Sequence, residues 1–180
     1  MSYFERSMEV GRRLRGNREV VGNVRRALRG ESQPFSCGST AELYQIGKSG
    51  EVYVALRRFD PRGSYGRADL KFQSGLMEVY CLNAEDLDAK GKRVPDFCVG
   101  VVCDEQAAIL TEDLTQGGQR KVDHSKGGEA AGYILVDGKK TLVYIDIDHG
   151  FDNRDFDVLD FIRGGVPLKY FSDENAIKLD

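Results

Sequence analysis

The sequence predicts an α+β domain with a mostly antiparallel sheet and a helix packed on it. Three observations carry this. Apolar, β-branched runs come in pairs, each pair closed by a short turn: Gly47-Lys-Ser-Gly50, Asp104-Glu-Gln106 and Asp137-Gly138. One long stretch, residues 67–89, places Leu70, Leu76, Met77, Tyr80, Cys81 and Leu87 on a helical face. The strands do not alternate with helices, as a doubly wound sheet requires.

In chain order, residues 3–29 read as helix, with Phe4, Met8, Leu14, Val21, Val24 and Leu28 near helical spacing and Gly30 as the stop. Gly11, Gly16 and Gly22 weaken it, so a broken pair of helices fits as well as a single one. Ala41–Ile46 and Glu51–Phe59 are strands, and residues 60–66 are a loop. Helix 67–89 ends at Gly91–Pro95. Phe97–Val102 and Ala107–Thr111 form the second strand pair. Thr115–Gly128 is a polar, glycine-rich and flexible connection, followed by strands Tyr133–Val136 and Leu142–Ile147. Residues 155–163 make a short helix and the tail is irregular. Residues 1–32 thus form a basic helical segment and residues 33–180 a single α+β domain.

A chain of 180 residues is long enough to bury a sizeable core. A net charge of −3 is too small to argue by itself for nucleic acid or membrane. The charge is uneven: residues 1–30 carry eight Arg against three Glu, and residues 146–180 carry nine acids against four bases. The Arg face is expected to dock on the acidic half of the same chain. Binding of nucleic acid through it is the less favoured reading. Cys37, Cys81, Cys98 and Cys103 lack metal-ligand spacing and read as reduced thiols of a cytoplasmic protein. Residues 1–30 have no apolar leader-like run, and no apolar run reaches the length of a membrane span.

The run Thr141-Leu-Val-Tyr-Ile-Asp-Ile-Asp-His-Gly150 holds the densest chemistry. A strand ends in Asp146 and Asp148, and positions i and i+2 of a strand point to one side. Two carboxylates so placed repel unless a cation or a proton is shared between them. Hard cations such as Mg²⁺ or Mn²⁺ want such oxygen ligands. Upstream lie Ser36-Cys-Gly-Ser-Thr-Ala41, a small-residue turn able to cradle phosphate oxygens. Then come Val54-Ala-Leu-Arg57 on a strand, Glu78 on the long helix, and Ile109-Leu-Thr-Glu-Asp-Leu114 at a strand end.

These motifs, in this order, resemble the nucleotide-binding lobe of the protein-kinase-like family, especially its small-molecule and antibiotic phosphotransferase branch. The resemblance covers residues 35–115 and, more weakly, 133–148. It implies ATP with Mg²⁺ or Mn²⁺. Gly38, Ser39 and Thr40 match the phosphate loop, and Arg57 stands at the family's Lys position. Glu78 matches the helix Glu that pairs with that Lys, and Glu112 to Leu114 match the adenine hinge. Asp146 matches the metal-binding Asp, with Asp148 assisting. The chain departs from the family at Arg57, because a guanidinium fork is not a conservative exchange for an ammonium. The base position falls on Gly128 and the second metal ligand on Tyr133. Glu129, or Asp123 with His124, are the remaining base candidates. About thirty residues after Asp148 leave room only for a minimal second lobe.

Two functions follow from this resemblance. One is a degenerate kinase-like domain that binds nucleotide and divalent metal and serves as a sensing or partner-binding module. The alternative is a miniature ATP-dependent phosphotransferase acting on a protein or small-molecule hydroxyl. Loss of the family's Lys, of the base at Gly128 and of the metal-binding Asn at Tyr133 favours the first. A strand-end Asp-x-Asp also has a superficial likeness to phosphatases with an Asp nucleophile, but those need a long chain after the motif.

Overall fold

The computed structural model describes residues 1–37, 41–59, 69–123, 131–145, 147, 160–161, 163 and 166–179. The fold is α+β, as the sequence predicts. Its main sheet has six strands in the order β1-β2-β3-β5-β4-β8, and β6 and β7 form a separate hairpin. The strands are β1 Ser36–Cys37, β2 Ala41–Ser49, β3 Val52–Phe59, β4 Cys98–Cys103, β5 Gln106–Glu112, β6 Ala131–Val136, β7 Lys139–Tyr144 and β8 Ile177–Leu179. Neighbours in the main sheet are antiparallel except β4 and β8, which are parallel.

The N-terminal segment is two helices, α1 Tyr3–Arg15 and α2 Arg18–Leu28. The break is chemical. Asn17 is extended and its side chain accepts from Val20 N–H, so it caps a new helix directly after Gly16. Ser2 and Glu5 form a reciprocal capping box that starts α1. The third helix, α3 Leu70–Ala89, starts where the Asp69 carboxylate accepts from Phe72 N–H. That is three residues inside the expected start, because an N-cap outweighs apolar periodicity in placing a boundary.

Period-two alternation sorts the strand side chains onto two faces. Val54, Leu56, Val99, Val101, Ala108 and Leu110 meet Leu14, Val20, Val24, Ala27 and Leu28 of α1 and α2. Phe59, Cys98, Ala107 and Ile109 meet Met77, Tyr80, Cys81 and Ala84 of α3. The sheet therefore lies between helices, and the N-terminal helices share its core. Their apolar stripe docks on the sheet and also reaches the tail, where Phe4 of α1 meets the Tyr170 ring edge to face at 5.2 Å. Six of the nine acids of residues 146–180 that the Arg face was expected to meet lie outside the described residues. Among the described residues, Arg15 Nη2 of α1 donates to the Ala176 carbonyl at 3.4 Å.

α3 is buried without interruption from Ser74 to Ala84. A helix covered all round needs partners on more than one side. The sheet covers one side, and the segment 168–176 contributes Leu168, Tyr170, Phe171 and Ala176 to the same cluster. This tail is not irregular throughout. Its end forms β8, pairing Ile177, Lys178 and Leu179 with Val101, Val102 and Cys103. The stretch of β4 that precedes this pairing is covered by α1: Cys98 N–H donates to Ser7 Oγ at 3.0 Å. Gly11 sits against Val99, and an added Cβ there would stand 3.2 Å from Val99 Cγ1, close enough that the valine would have to shift by a few tenths of an ångström.

Two of the three expected turns stand where the sequence places them; the first is displaced, since Gly47–Ser49 continue β2 and Gly50-Glu51 make the turn. Asp104 and Glu105 have φ of 49° and 63°, and Asp137 and Gly138 have 50° and 77°. Both pairs are left-handed, which suits the twist of two-residue hairpins. The predicted strand 142–147 ends earlier, at Tyr144, and begins at Lys139. The expected helix 155–163 falls mostly outside the described residues.

Candidate functional site

Arg57 and Arg58 are neighbours in β3, so they point to opposite faces of the sheet. Arg58 faces α2. Its guanidinium is 3.0 Å from Glu42 Oε2 and donates to Tyr44 Oη at 2.9 Å. It also donates to Gln106 Oε1 at 3.0 Å. Burial, followed by the hydrogen bond to Glu42, pushes the Tyr44 phenol up to about 12. This closed network joins β2, β3 and β5 beneath the end of α2.

Arg57 faces α3. It is 4% exposed, and its guanidinium carbon lies 4.9 Å from the centroid of the Tyr80 ring. An aromatic face is a favourable neighbour for a desolvated guanidinium. Tyr80 and Asn83 are one helical turn apart and so share a face of α3. Tyr80 Oη donates to the Ile145 carbonyl at 2.9 Å, and Asn83 Nδ2 donates to the Ile147 carbonyl at 2.5 Å. Two side chains of α3 thereby hold the carbonyls of Ile145 and Ile147, and one of them, Tyr80, also meets Arg57. Ile147 itself is fully buried in the α3 core.

Glu78 does not do what the resemblance implies. Its carboxylate accepts from the backbone N–H groups of Lys169, Tyr170 and Phe171 at 2.9–3.1 Å. Among the described residues those are its hydrogen-bond partners, and it makes no ion pair with Arg57. Burial pushes its carboxyl up, and the three N–H groups and the Lys169 charge pull it part of the way back. Two turns along α3, Glu85 accepts from Lys169 Nζ at 2.7 Å and from Tyr170 Oη at 3.1 Å. The two glutamates grip the tail.

Glu112 is tied down as well. Both its oxygens accept from Arg93 Nη2 at 2.9 Å, and one accepts from Asp96 N–H. The hinge-like backbone that follows is largely engaged within the protein. Asp113 N–H donates to the Tyr53 carbonyl, and Thr115 N–H donates to Asp113 Oδ1. The Leu114 carbonyl accepts from Arg120 Nε. The Leu114 side chain packs with Ile134 and Val143, which seats the β6–β7 hairpin against the end of β5. The start of the predicted flexible connection is thus built from turns around the buried Asp113 side chain, which accepts from Thr115 and Gly117.

Asp123 is positioned by its backbone, which exchanges two hydrogen bonds with Tyr133 at 2.8 and 2.9 Å. Gly38, Ser39, Thr40, His124, Glu129, Asp146 and Asp148 lie outside the described residues. Among the described residues no three His, Cys, Asp or Glu side chains gather to hold a metal ion. Cys81, Cys98 and Cys103 are free and buried.

The motif reading missed Tyr80, Asn83 and the tail. Asn83 carried a signal: an amide inside the apolar run Leu76–Ala84 must find a buried partner. The tail carried none, since a contact between residues 78 and 169–171 has no local signature. Among the described residues no helix is long and apolar enough to cross a membrane. No family model, curated protein or solved structure matches the chain.

Proposed function

We propose that this chain is a kinase-like domain that binds a nucleotide together with a divalent cation and works as a sensing or partner-binding module, without efficient phosphoryl transfer. The observation that carries the reading is the set of contacts around α3. Tyr80 stacks on Arg57 and, with Asn83, holds the carbonyls of Ile145 and Ile147, the neighbours in sequence of Asp146. A basic residue from β3 and the flanks of the proposed metal-binding Asp therefore meet on one helix. The order of elements is also the one the resemblance requires: a hairpin carrying Arg57, a helix carrying Glu78, a strand running into a hinge, and a hairpin leading to Asp146.

The same contacts argue against turnover. Phosphoryl transfer rests on positioning and charge stabilisation. Glu78 is committed to the tail, the hinge is braced by Arg93 and Arg120, and the base and second metal-ligand positions hold Gly128 and Tyr133. In this reading Asp146 and Asp148 hold Mg²⁺ or Mn²⁺, Arg57 faces the phosphates, and Gly38, Ser39 and Thr40 wrap them.

The test is calorimetric titration with MnCl₂ and with ATP, alongside thermal shift. Wild type is expected to bind Mn²⁺ and to gain stability with Mn-ATP, while Asp146→Asn loses most of the metal affinity. A ligand at a hundredfold excess over its Kd raises stability by about 2.7 kcal/mol. ATP hydrolysis is expected to be weak or absent, with no rescue by Arg57→Lys. Equal Mn²⁺ binding by wild type and Asp146→Asn would reduce the acidic pair to a plain turn. A robust hydrolysis rate that Asp146→Ala abolishes would establish the phosphotransferase alternative.

A further inference from the structure

α2 turns one face to the sheet and the other outward. Val20, Val24, Ala27 and Leu28 are buried. Steps of about 100° per residue place Arg18, Arg25 and Arg29 within about 40° of arc on the opposite side, with Arg26 flanking them. Arg18, Arg26 and Arg29 are exposed and Arg25 is half-buried. At a rise of about 1.5 Å per residue the stripe is about 16 Å long. Gly22 lies at its centre, and an added Cβ there would sit 3.7 Å from the Arg26 guanidinium.

The positive charge of this stripe is scarcely neutralised. Arg29 pairs with Asp104 at 3.2 Å, and Arg26 donates to Asn23. Arg18, Arg25 and Arg26 make no ion pair among the described residues. Glu19 is the one acid on the helix. All eight cations of residues 1–30 are Arg and none is Lys, a choice that favours the forked recognition of phosphate or carboxylate. The charge of the whole chain sharpens the contrast: a net −3 leaves −8 on residues 31–180 against +5 on residues 1–30. Such a separation orients the molecule toward an anion helix-first.

Three further features narrow the partner. Among the described residues the exposed large apolar ones are Met1, Phe35, Leu135, Val136, Leu142 and Val166, and none is on α2. Protein interfaces need buried apolar or aromatic anchors, and interfacial helices need an apolar face to insert. Here the apolar face of α2 is already spent on the sheet. There is no aromatic residue on α2 to stack on an unpaired base, as single-strand binders use. A straight row of guanidiniums on a rigid helix suits instead a dense, regular row of fixed anions, which a duplex presents.

We propose that the outer stripe of α2 binds the phosphate backbone of double-stranded nucleic acid, without reading its sequence. This site is separate from Arg57 and its surroundings and stands whether or not the chain binds nucleotide.

The test is fluorescence anisotropy with short labelled RNA and DNA duplexes of mixed sequence, as a function of salt. Four phosphate contacts give a slope of about −3.6 in log K against log salt, hence roughly a hundredfold loss from 50 to 200 mM. Arg18→Gln with Arg26→Gln removes two exposed cations and should lower the slope by about 1.8. Its melting temperature should stay unchanged, since neither side chain is in the core. Arg18→Lys with Arg26→Lys keeps the charges and should keep the slope, so a loss of binding through misfolding is recognised. The proposal is overturned if wild type does not bind either duplex, if the Gln variant binds with the wild-type slope, or if phosphatidylserine vesicles or polyglutamate bind in preference to duplex.

Discussion

A single carboxylate, Glu78, shows how a side chain that fits a motif can be put to another use. It is fully buried, and its oxygens satisfy three backbone N–H groups of the tail. Because burial raises its pKa above the ordinary 4.5, the native state holds the proton more tightly than the unfolded chain. This contribution to stability is therefore greatest below the unfolded value and declines as pH rises through the raised native value. Urea midpoints measured across that range should fall with pH for wild type and lose this component in Glu78→Gln. Glu78→Ala leaves buried N–H groups unpaired, at about 1–3 kcal/mol each, and should cost at least 3 kcal/mol in the same measurement. The sequence identified Glu78 and Arg57 as important but gave Glu78 the wrong partner. Its true partners are 91–93 residues away, in a stretch with no periodicity.

Elements were legible in proportion to how local their causes are. The hairpins β4–β5 and β6–β7 are announced by their turns and the α1–α2 break by its glycines, whereas the β2–β3 turn falls past the expected Gly47–Gly50, at Gly50-Glu51. β8 was not legible, because three residues are too short for a pattern and their pairing with β4 is long-range. Gly100 locks this region. A Cβ at that position would stand 2.9 Å from the Tyr170 carbonyl oxygen and 3.1 Å from the Phe171 ring. Since the nearest atom is backbone, the tail itself must move. Gly100→Ala should cost about 1–3 kcal/mol. Amide exchange should show the loss concentrated in residues 168–179, with the β6–β7 hairpin unaffected. A uniform change across the sheet would mean that the tail is not an independent weak point.

At the scale of the whole molecule, the expected boundary between residues 1–32 and 33–180 does not separate two folding units. Leu14, Val20, Val24, Ala27 and Leu28 complete one face of the sheet. Deleting residues 1–30 should therefore abolish cooperative melting instead of trimming a basic tail, and size-exclusion chromatography should show association through the uncovered sheet. Composition indicated a chain able to bury a sizeable core but not this sharing, since an Arg-rich helix conceals how apolar its inner stripe is. The candidate site was legible as a set of motifs, while the clamp made by Tyr80 and Asn83 emerged only from the packing of α3.

β4 is finished at its edge by two segments from the far ends of the described chain. Ser7 of α1 takes the N–H of Cys98, and Ile177–Leu179 take the next stretch. On a ribosome Ser7 precedes β4 and Ile177–Leu179 follow it. Between the synthesis of β4 and that of β8, the hydrogen-bonding edge of β4 that β8 later covers is bare. An unpaired edge invites pairing with a neighbouring chain. The last strand thus acts as a stopper whose late delivery sets how long the nascent protein needs shelter.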